Sequence, residues 1–449
     1  MTSPGREQAE PLLKLLGVAF GVAISVGVVI GSGILRGPGP IAAALPDGRV
    51  ILLLWTLGGV HALLGANVTA ELGAAIPQSG GLVLYANRAY GPIGGLIIGW
   101  SEWGSTVAGI AAASIAFAEF SALLIPAVTP WKTPLAVALQ LALTAANVAG
   151  LREGSWLQNG VSALKAVLLA GFVALVLFAP AHAGGAAAPM ADLHSPAAVV
   201  LAWVGAYQLI VGAYSGWDAP VYFSGENVDA TRSIPRSVFL GALTSGVLYV
   251  AVNGALLHGM SLGELAHSDL PFAVILKRLI GPVGAALFAI GAVFTVLSGA
   301  NANILQASRI LYGLGRSGLL PTKISAVNRG GSPWLAFGVS AAASILLTLT
   351  GGFAQVFALI GALSILSQAL TAGAYFVLRR REPQLRRPFH ALGHPWLPAL
   401  LLAINVALVL LFAWGDHKSA AAGIVAIGVC AAAGAWLSRR RTAVTPPRA

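Results

Sequence analysis

The stretch AYSGWDAP, residues 213–220, interrupts a long apolar run. Gly216 and Pro220 break helices, and Asp218 is costly in hydrocarbon. The surrounding chain makes the interruption informative. Of 449 residues, 57% are hydrophobic and only 9% are charged, whereas a soluble domain carries about 25% charged residues. The composition is that of an integral membrane protein, with most of its length in the bilayer. Basic residues exceed acidic ones, 26 against 15, but they cluster at the ends of apolar segments, which is the membrane pattern and not a nucleic-acid patch. The single cysteine, Cys430, excludes an intrachain disulfide and any cysteine metal cluster.

A spanning helix needs about 20 mainly apolar residues, which places about twelve spans along the chain. Their expected limits are 12–45 and 198–225 (both interrupted), 50–75, 92–125, 132–150, 155–180, 237–258, 283–315, 334–350, 353–378, 396–414 and 420–438. The first apolar stretch, 12–30, is too long for a signal-peptide core and reads as a retained helix. With the N-terminus in the cytosol, the outer side holds only Arg49, Lys132, Lys277, Arg278 and Lys418. The cytosolic side collects most of the remainder, including Arg379, Arg380, Arg381, Arg386, Arg387 and the run Arg439, Arg440, Arg441. Both termini are therefore expected in the cytosol. The chain reads as one transporter domain over 1–449: a first repeat over 12–180, a second over 198–378, and two further helices over 396–438.

The first span carries its own interruption, VIGSGILRGPGP at residues 29–40. It shares a Ser-Gly pair with the sixth: Ser32-Gly33 and Ser215-Gly216. The pattern thus repeats after five spans, as two five-span halves whose first helices are broken. Irregular backbone at membrane depth leaves N–H and C=O groups without partners, each costing several kcal/mol in lipid, and is tolerated where it lines a cavity. Helix N-termini then offer N–H groups to an anion and C-terminal ends offer C=O groups to a cation. A ligand with both charges close together, such as an α-amino acid, suits two adjacent breaks. Paired interruptions at corresponding places are the strongest sequence pointer to a transporter site. The blander reading is that these glycines only permit close helix packing.

At these residues the chain resembles the amino acid–polyamine–organocation superfamily of permeases, above all the L-type amino acid transporter branch and its bacterial relatives. The likeness runs over nearly the whole length. It is carried by IGSGILRGPG, IPQSGGLVLYANRAYG, GAYSGWDAPVYFSGENVDATRSIPRSV and ANILQASRILYGLGRSGLLP. The resemblance implies an all-α membrane fold with an inverted five-plus-five repeat, broken helices 1 and 6, and alternating access. It implies that a substrate carboxylate meets Gly31, Ser32, Gly33 and Ile34, and that the ammonium meets carbonyls of Val29, Gly212, Ala213 and Ser215. It also sets an expectation that fails at Gly212, where many relatives carry a bulky aromatic that closes over the substrate. Either the gate is missing, which would give a wider pocket and a larger or unusual substrate, or Tyr214 or Trp217 replaces it.

Lys165 lies about ten residues into the fifth span. In sodium-independent relatives a matching lysine takes the place of a sodium ion beside the first broken helix. The resemblance thus implies that Lys165 stabilises the unwound carbonyls and carries a coupling proton; the alternative is a lysine snorkelling to the surface. Span 8 offers Ser298, Gly299, Asn301 and Asn303 as oxygen ligands, but with Lys165 present no metal site is expected. Arg36 follows the first break and is expected to draw substrate anions or to pair with Glu71, Glu102 or Asp218. Asp218 is expected to cap the second half-helix. His61, Glu71, Glu102 and Glu119 are further candidates for a proton relay, and Glu226, Asp229, Arg232 and Arg236 for an inward charge network.

These features favour a secondary carrier of amino acids or related amines in the cytoplasmic membrane, proton-coupled or exchanging. A polyamine or other organocation carrier is the alternative. A channel would want a pore ring or repeated filter loop. An enzyme would want a motif such as His-Glu-x-x-His or Gly-x-Ser-x-Gly, and a pump would want a phosphate loop; none is present. The expected partners are a small-molecule substrate, the lipid bilayer and a proton, with no cofactor and no nucleic acid.

Overall fold

The computed structural model describes residues 17–78, 80–149, 154–181, 195–328, 331–415 and 428. The expected span at 420–438, Cys430 and the terminal arginines lie outside the described residues. The first span begins as α1 (Val18–Val29), breaks at Ile30-Gly31, and resumes as α2 (Ser32–Arg36) and α3 (Pro38–Ala44). Next come α4 (Gly48–Ala75), α5 (Leu82–Tyr90), α6 (Pro92–Leu124), α7 (Lys132–Val148) and α8 (Gly154–Leu177). The second broken span is α9 (Pro196–Tyr214), an irregular Ser215–Asp218 link, and a 3-10 helix over Ala219–Glu226. The chain continues through α10 (Ala230–Gly259), α11 (Leu262–Ala266), α12 (Pro271–Ile280), α13 (Pro282–Arg316), α14 (Trp334–Thr350), α15 (Phe353–Arg381) and α16 (Trp396–Gly415).

Nine helical segments among the described residues are long and apolar enough to cross a membrane. α7 and α14, at 17 residues each, sit at the short end of the spanning range of about 17–25. The expected limits agree with the helices to within a few residues, except that α10 begins earlier, at Ala230, because Asp229 caps it. The Asp229 carboxylate accepts from Arg232 N–H and from the Thr231 hydroxyl, and the latter bond holds the Asp229 pKa below the usual carboxylate range. The segments α5 and α12 were not among the expected spans. Each is short and apolar along one face only, with Arg88, or Lys277 and Arg278, near its end.

The two broken helices sit at the centre because their neighbours are rich in small residues. α6 carries Ala108, Ala111, Ala112 and Ala116, all fully buried, and packs against α13 with Val107 and Ile110 beside Ile304 and Ala307. In a bilayer, where lipid is as apolar as leucine, such close approach supplies much of the helix–helix attraction. α4 packs along α10 in the same manner, and α1 lies against α8, α10 and α13.

The second break depends on one glycine. Gly216 has φ +110°, a region that residues with a Cβ rarely adopt, and a Cβ there would lie 2.2 Å from Val28 Cγ1. Gly216 thus turns the chain out of the helix and admits α1 alongside. Gly33 serves close approach without unusual torsions: an added Cβ would stand 3.0 Å from Ala213 Cα and 2.8 Å from Phe357 Cζ.

Candidate functional site

Breaking two helices in hydrocarbon exposes backbone carbonyls, and the fold supplies a donor for most of them. Lys165 Nζ, from α8, donates to the carbonyls of Gly27 (3.0 Å) and Ile30 (3.2 Å) at the end of α1. The Tyr249 hydroxyl, from α10, donates to Val29 O at 2.5 Å and lies 3.3 Å from Ala213 O. It thereby ties the two breaks to one atom. The Ser25 hydroxyl donates to Trp217 O at 2.8 Å, and the Ser162 hydroxyl to Ala23 O at 2.7 Å. The bonds to Gly27, Val29, Ile30, Ala213 and Trp217 stand in for partners that a continuous helix would have provided, whereas Ser162 adds a second donor to a carbonyl inside α1.

Between the breaks lies a cavity of about 50 Å³ open to water centres, room for a few waters. Both breaks line it, through Val28, Val29, Gly31, Ser32 and Gly33 on one side and Gly212, Ala213, Ser215, Gly216 and Asp218 on the other. α6 contributes Glu102, Ser105 and Thr106, α13 contributes Asn303 and Gln306, and α15 contributes Phe357 and Ile360. Gly31 begins α2 without a side-chain cap, so the N–H groups of that first turn have no capping partner. Ser215 and Ser105 both hydrogen-bond Ser364, at 2.8 and 3.0 Å, which fixes the second break against α6 and α15. Chemically the cavity offers N–H donors and a hydroxyl at one wall and carbonyls at the other.

Of the residues expected to meet substrate, Val29, Gly31, Ser32, Gly33, Gly212, Ala213 and Ser215 converge on this cavity, whereas Ile34 is fully buried and does not line it. The Val29 and Ala213 carbonyls already share Tyr249, a residue with no prior signal because it lies in an unbroken helix.

The two expected gates lie away from the cavity lining. Tyr214 is 3% exposed and turns away, its hydroxyl donating to Trp55 O at 3.0 Å. Trp217 is equally buried and packs on Gly65, where a Cβ would come within 2.6 Å of its ring. The aromatic ring over the cavity is Phe357 instead. It faces the space beside Gly212, where a Cβ would lie 3.5 Å from Phe357 Cε1. Phe357 stacks on Phe353 with ring centres 5.3 Å apart, and the Arg36 guanidinium lies 4.4 Å above the Phe353 ring.

Arg36 does pair, but not with Glu71, Glu102 or Asp218. Its partners are Glu119, on α6, and Asp269, the latter at 3.1 Å. Glu71 is held instead by Arg379 (2.6 Å) and Arg387 (3.1 Å) and accepts Ala391 N–H. Asp218 precedes the 3-10 helix but makes no side-chain cap bond, because that segment is not the α-helical turn expected there. Its carboxyl belongs to the cavity lining. Among the relay candidates only Glu102 reaches the cavity. His61 is held by Asn405 (2.7 Å) and Tyr207 (3.3 Å). At the opposite end from Arg36, Phe20 meets Phe223 edge-on at 5.6 Å and Glu226 pairs with Arg309 at 3.3 Å. Of the other charges expected in that network, Asp229 and Arg232 are 3.9 Å apart and exposed. Contacts therefore lie across both ends of the cavity. Asn301, one of the possible oxygen ligands, accepts from Asn147 at 2.7 Å, and Asn303 donates to Gly299 O at 2.9 Å.

An all-helical membrane protein whose two broken helices wall a central cavity has the architecture of a solute permease, not of an enzyme. The amino acid permease family model matches residues 16–434, and the chain belongs to that family. It is 25% identical to the serine/threonine exchanger SteT of Bacillus subtilis (strain 168) over 401 residues, covering 87% of this chain and 89% of that protein. It is 27% identical to the human Asc-type amino acid transporter 1 over 411 residues, with coverage of 86% and 75%. Identity to the human b(0,+)-type amino acid transporter 1 is also 27%, over 410 residues, with coverage of 89% and 82%.

Proposed function

We propose that this permease moves amino acids or related amines across the cytoplasmic membrane by alternating access, as an exchanger or with a proton, and without sodium. In this reading the substrate carboxylate meets the first turn of α2 at Gly31, Ser32 and Gly33, and the ammonium meets the carbonyls of Gly212, Ala213 and Ser215. The observation that carries it is the cavity itself: both breaks face it, with uncapped N–H groups on one side and carbonyls on the other. Lys165 supports the sodium-free part, since its Nζ donates to Gly27 and Ile30 carbonyls that would otherwise be free to ligate a cation. Arg36, Phe353 and Phe357 form the outer closure, and Phe20, Phe223, Glu226 and Arg309 the inner one. Both termini face the cytosol, and the two halves, 12–180 and 198–378, are the repeats that rock against each other.

The test is uptake of labelled amino acids into liposomes holding the purified protein, with and without a pH gradient, with and without internal amino acid, and in sodium or choline buffer. Saturable uptake that ignores sodium and responds to internal amino acid or to the pH gradient is expected. Sodium-dependent uptake would refute the sodium-free part, and no uptake of any amino acid or amine would refute the whole.

A further inference from the structure

The head group of an amino acid accounts for the two breaks but leaves part of the lining unexplained. Glu102 and Asp218, 7% and 8% exposed, face the same cavity, together with Gln306, 3% exposed. Glu102 accepts a hydrogen bond from the Tyr222 hydroxyl at 2.7 Å. Gln306 Oε1 is buried and has no hydrogen-bond partner among the described residues. A buried amide oxygen without a donor is rare, and its desolvation is uncompensated.

Among the described residues, no lysine, arginine or histidine lines the cavity. The basic side chains of the surrounding helices are engaged elsewhere: Lys165 with the α1 carbonyls, Arg36 with Glu119 and Asp269, Arg309 with Glu226 and Arg379 with Glu71. Two buried carboxylates without a basic partner are strongly unfavourable unless a positive group or a proton joins them. A proton shared between the carboxylates supplies one O–H and leaves Gln306 Oε1 unserved. An ammonium brings three N–H donors, one for each of Glu102, Asp218 and Gln306.

We infer that Glu102, Asp218 and Gln306 receive a second positively charged group of the substrate, so that the preferred cargo is a dibasic amino acid or a related diamine. The inference rests on the amino acid transport reading above and narrows its substrate class. A neutral side chain of the same length would leave Gln306 Oε1 without a donor and both carboxylates without a positive partner, and that difference sets the selectivity.

The experiment compares L-lysine with L-norleucine, which has the same carbon chain without the terminal amine, as competitors of labelled uptake in liposomes. L-serine and L-alanine serve as small neutral controls. Wild-type protein is expected to prefer lysine over norleucine by about tenfold or more, the scale of one charge-assisted hydrogen bond. Glu102→Gln and Gln306→Leu are each expected to bring that ratio towards one. Asp218→Asn, nearly isosteric, gives a third reading should either variant fail to fold, and the wild-type ratio needs no variant. Norleucine or serine competing as well as lysine in the wild type overturns the inference and leaves amino acid transport standing; such a result would assign the carboxylates to a proton. A lysine preference that survives in the folded variants also overturns it. If none of the four amino acids competes and no uptake is seen, the transport reading fails and this inference falls with it.

Discussion

The Tyr249 hydroxyl is the smallest group whose removal tests how the two breaks are joined. Tyr249→Phe deletes one oxygen and keeps the ring, which packs edge-on against Trp55 at 5.4 Å and beside Tyr214 at 5.0 Å. Tyr249 is fully buried, so water does not replace the lost donor. Val29 O, 2.5 Å from the hydroxyl, then stands in the interior without that bond, and Ala213 O, at 3.3 Å, loses a weaker one. An orphaned buried acceptor costs about 1–3 kcal/mol. If that cost falls on the closed arrangement of the breaks, kcat/KM for uptake drops by about 5–150-fold. The assay pairs initial rates of liposome uptake over a range of substrate concentrations with the melting temperature of the detergent-solubilised protein. A lowered melting temperature with reduced kcat/KM is expected. Wild-type values in both would mean that the hydroxyl contributes nothing to holding the breaks, and the argument from orphaned carbonyls would be wrong.

Lys165→Ala is expected to abolish or uncouple uptake while the protein still inserts, because Gly27 and Ile30 lose their donor; proton-stimulated uptake like that of the wild type would contradict this. Gly216→Ala should prevent stable folding, since it combines φ +110° with a 2.2 Å approach to Val28 and backbone strain alone costs about 1–3 kcal/mol. Monodisperse protein with unchanged melting would refute that. Phe357→Ala removes the ring over the cavity, and competition assays should then admit side chains too bulky for the wild type; an unchanged competition profile would show that Phe357 is not the gate.

Much of the fold was legible because membrane spans announce themselves by composition. The breaks were legible for the same reason inverted: Gly216, Asp218 and Pro220 stand out only because their neighbours are apolar. What stayed hidden has a physical pattern. Phe357, Tyr249 and Gln306 lie in unbroken helices, where a cavity-facing residue looks locally like one that packs. Tyr214 and Trp217 were natural gate candidates by sequence proximity to Gly212, yet the turn at Gly216 sends them towards Trp55 and Gly65. Arg36 finds its partners 83 and 233 residues away, a choice set by packing and not by spacing. Asp218 looked like a cap because capping is local, and its place in the cavity lining appears only once the second break is folded against α6.

The central claim, that the cavity between the breaks is the substrate site and opens to each side in turn, is tested most directly by thiol protection. Cys430 is the single native cysteine, so a Cys430→Ala background carrying Ser215→Cys places one thiol on the cavity wall. A membrane-impermeant thiol reagent is applied to sealed vesicles from outside and, separately, from within. Labelling is expected from both sides, suppressed from both by a saturating transported amino acid. Labelling that a transported amino acid leaves unchanged, or that occurs from one side only under every condition, would contradict it.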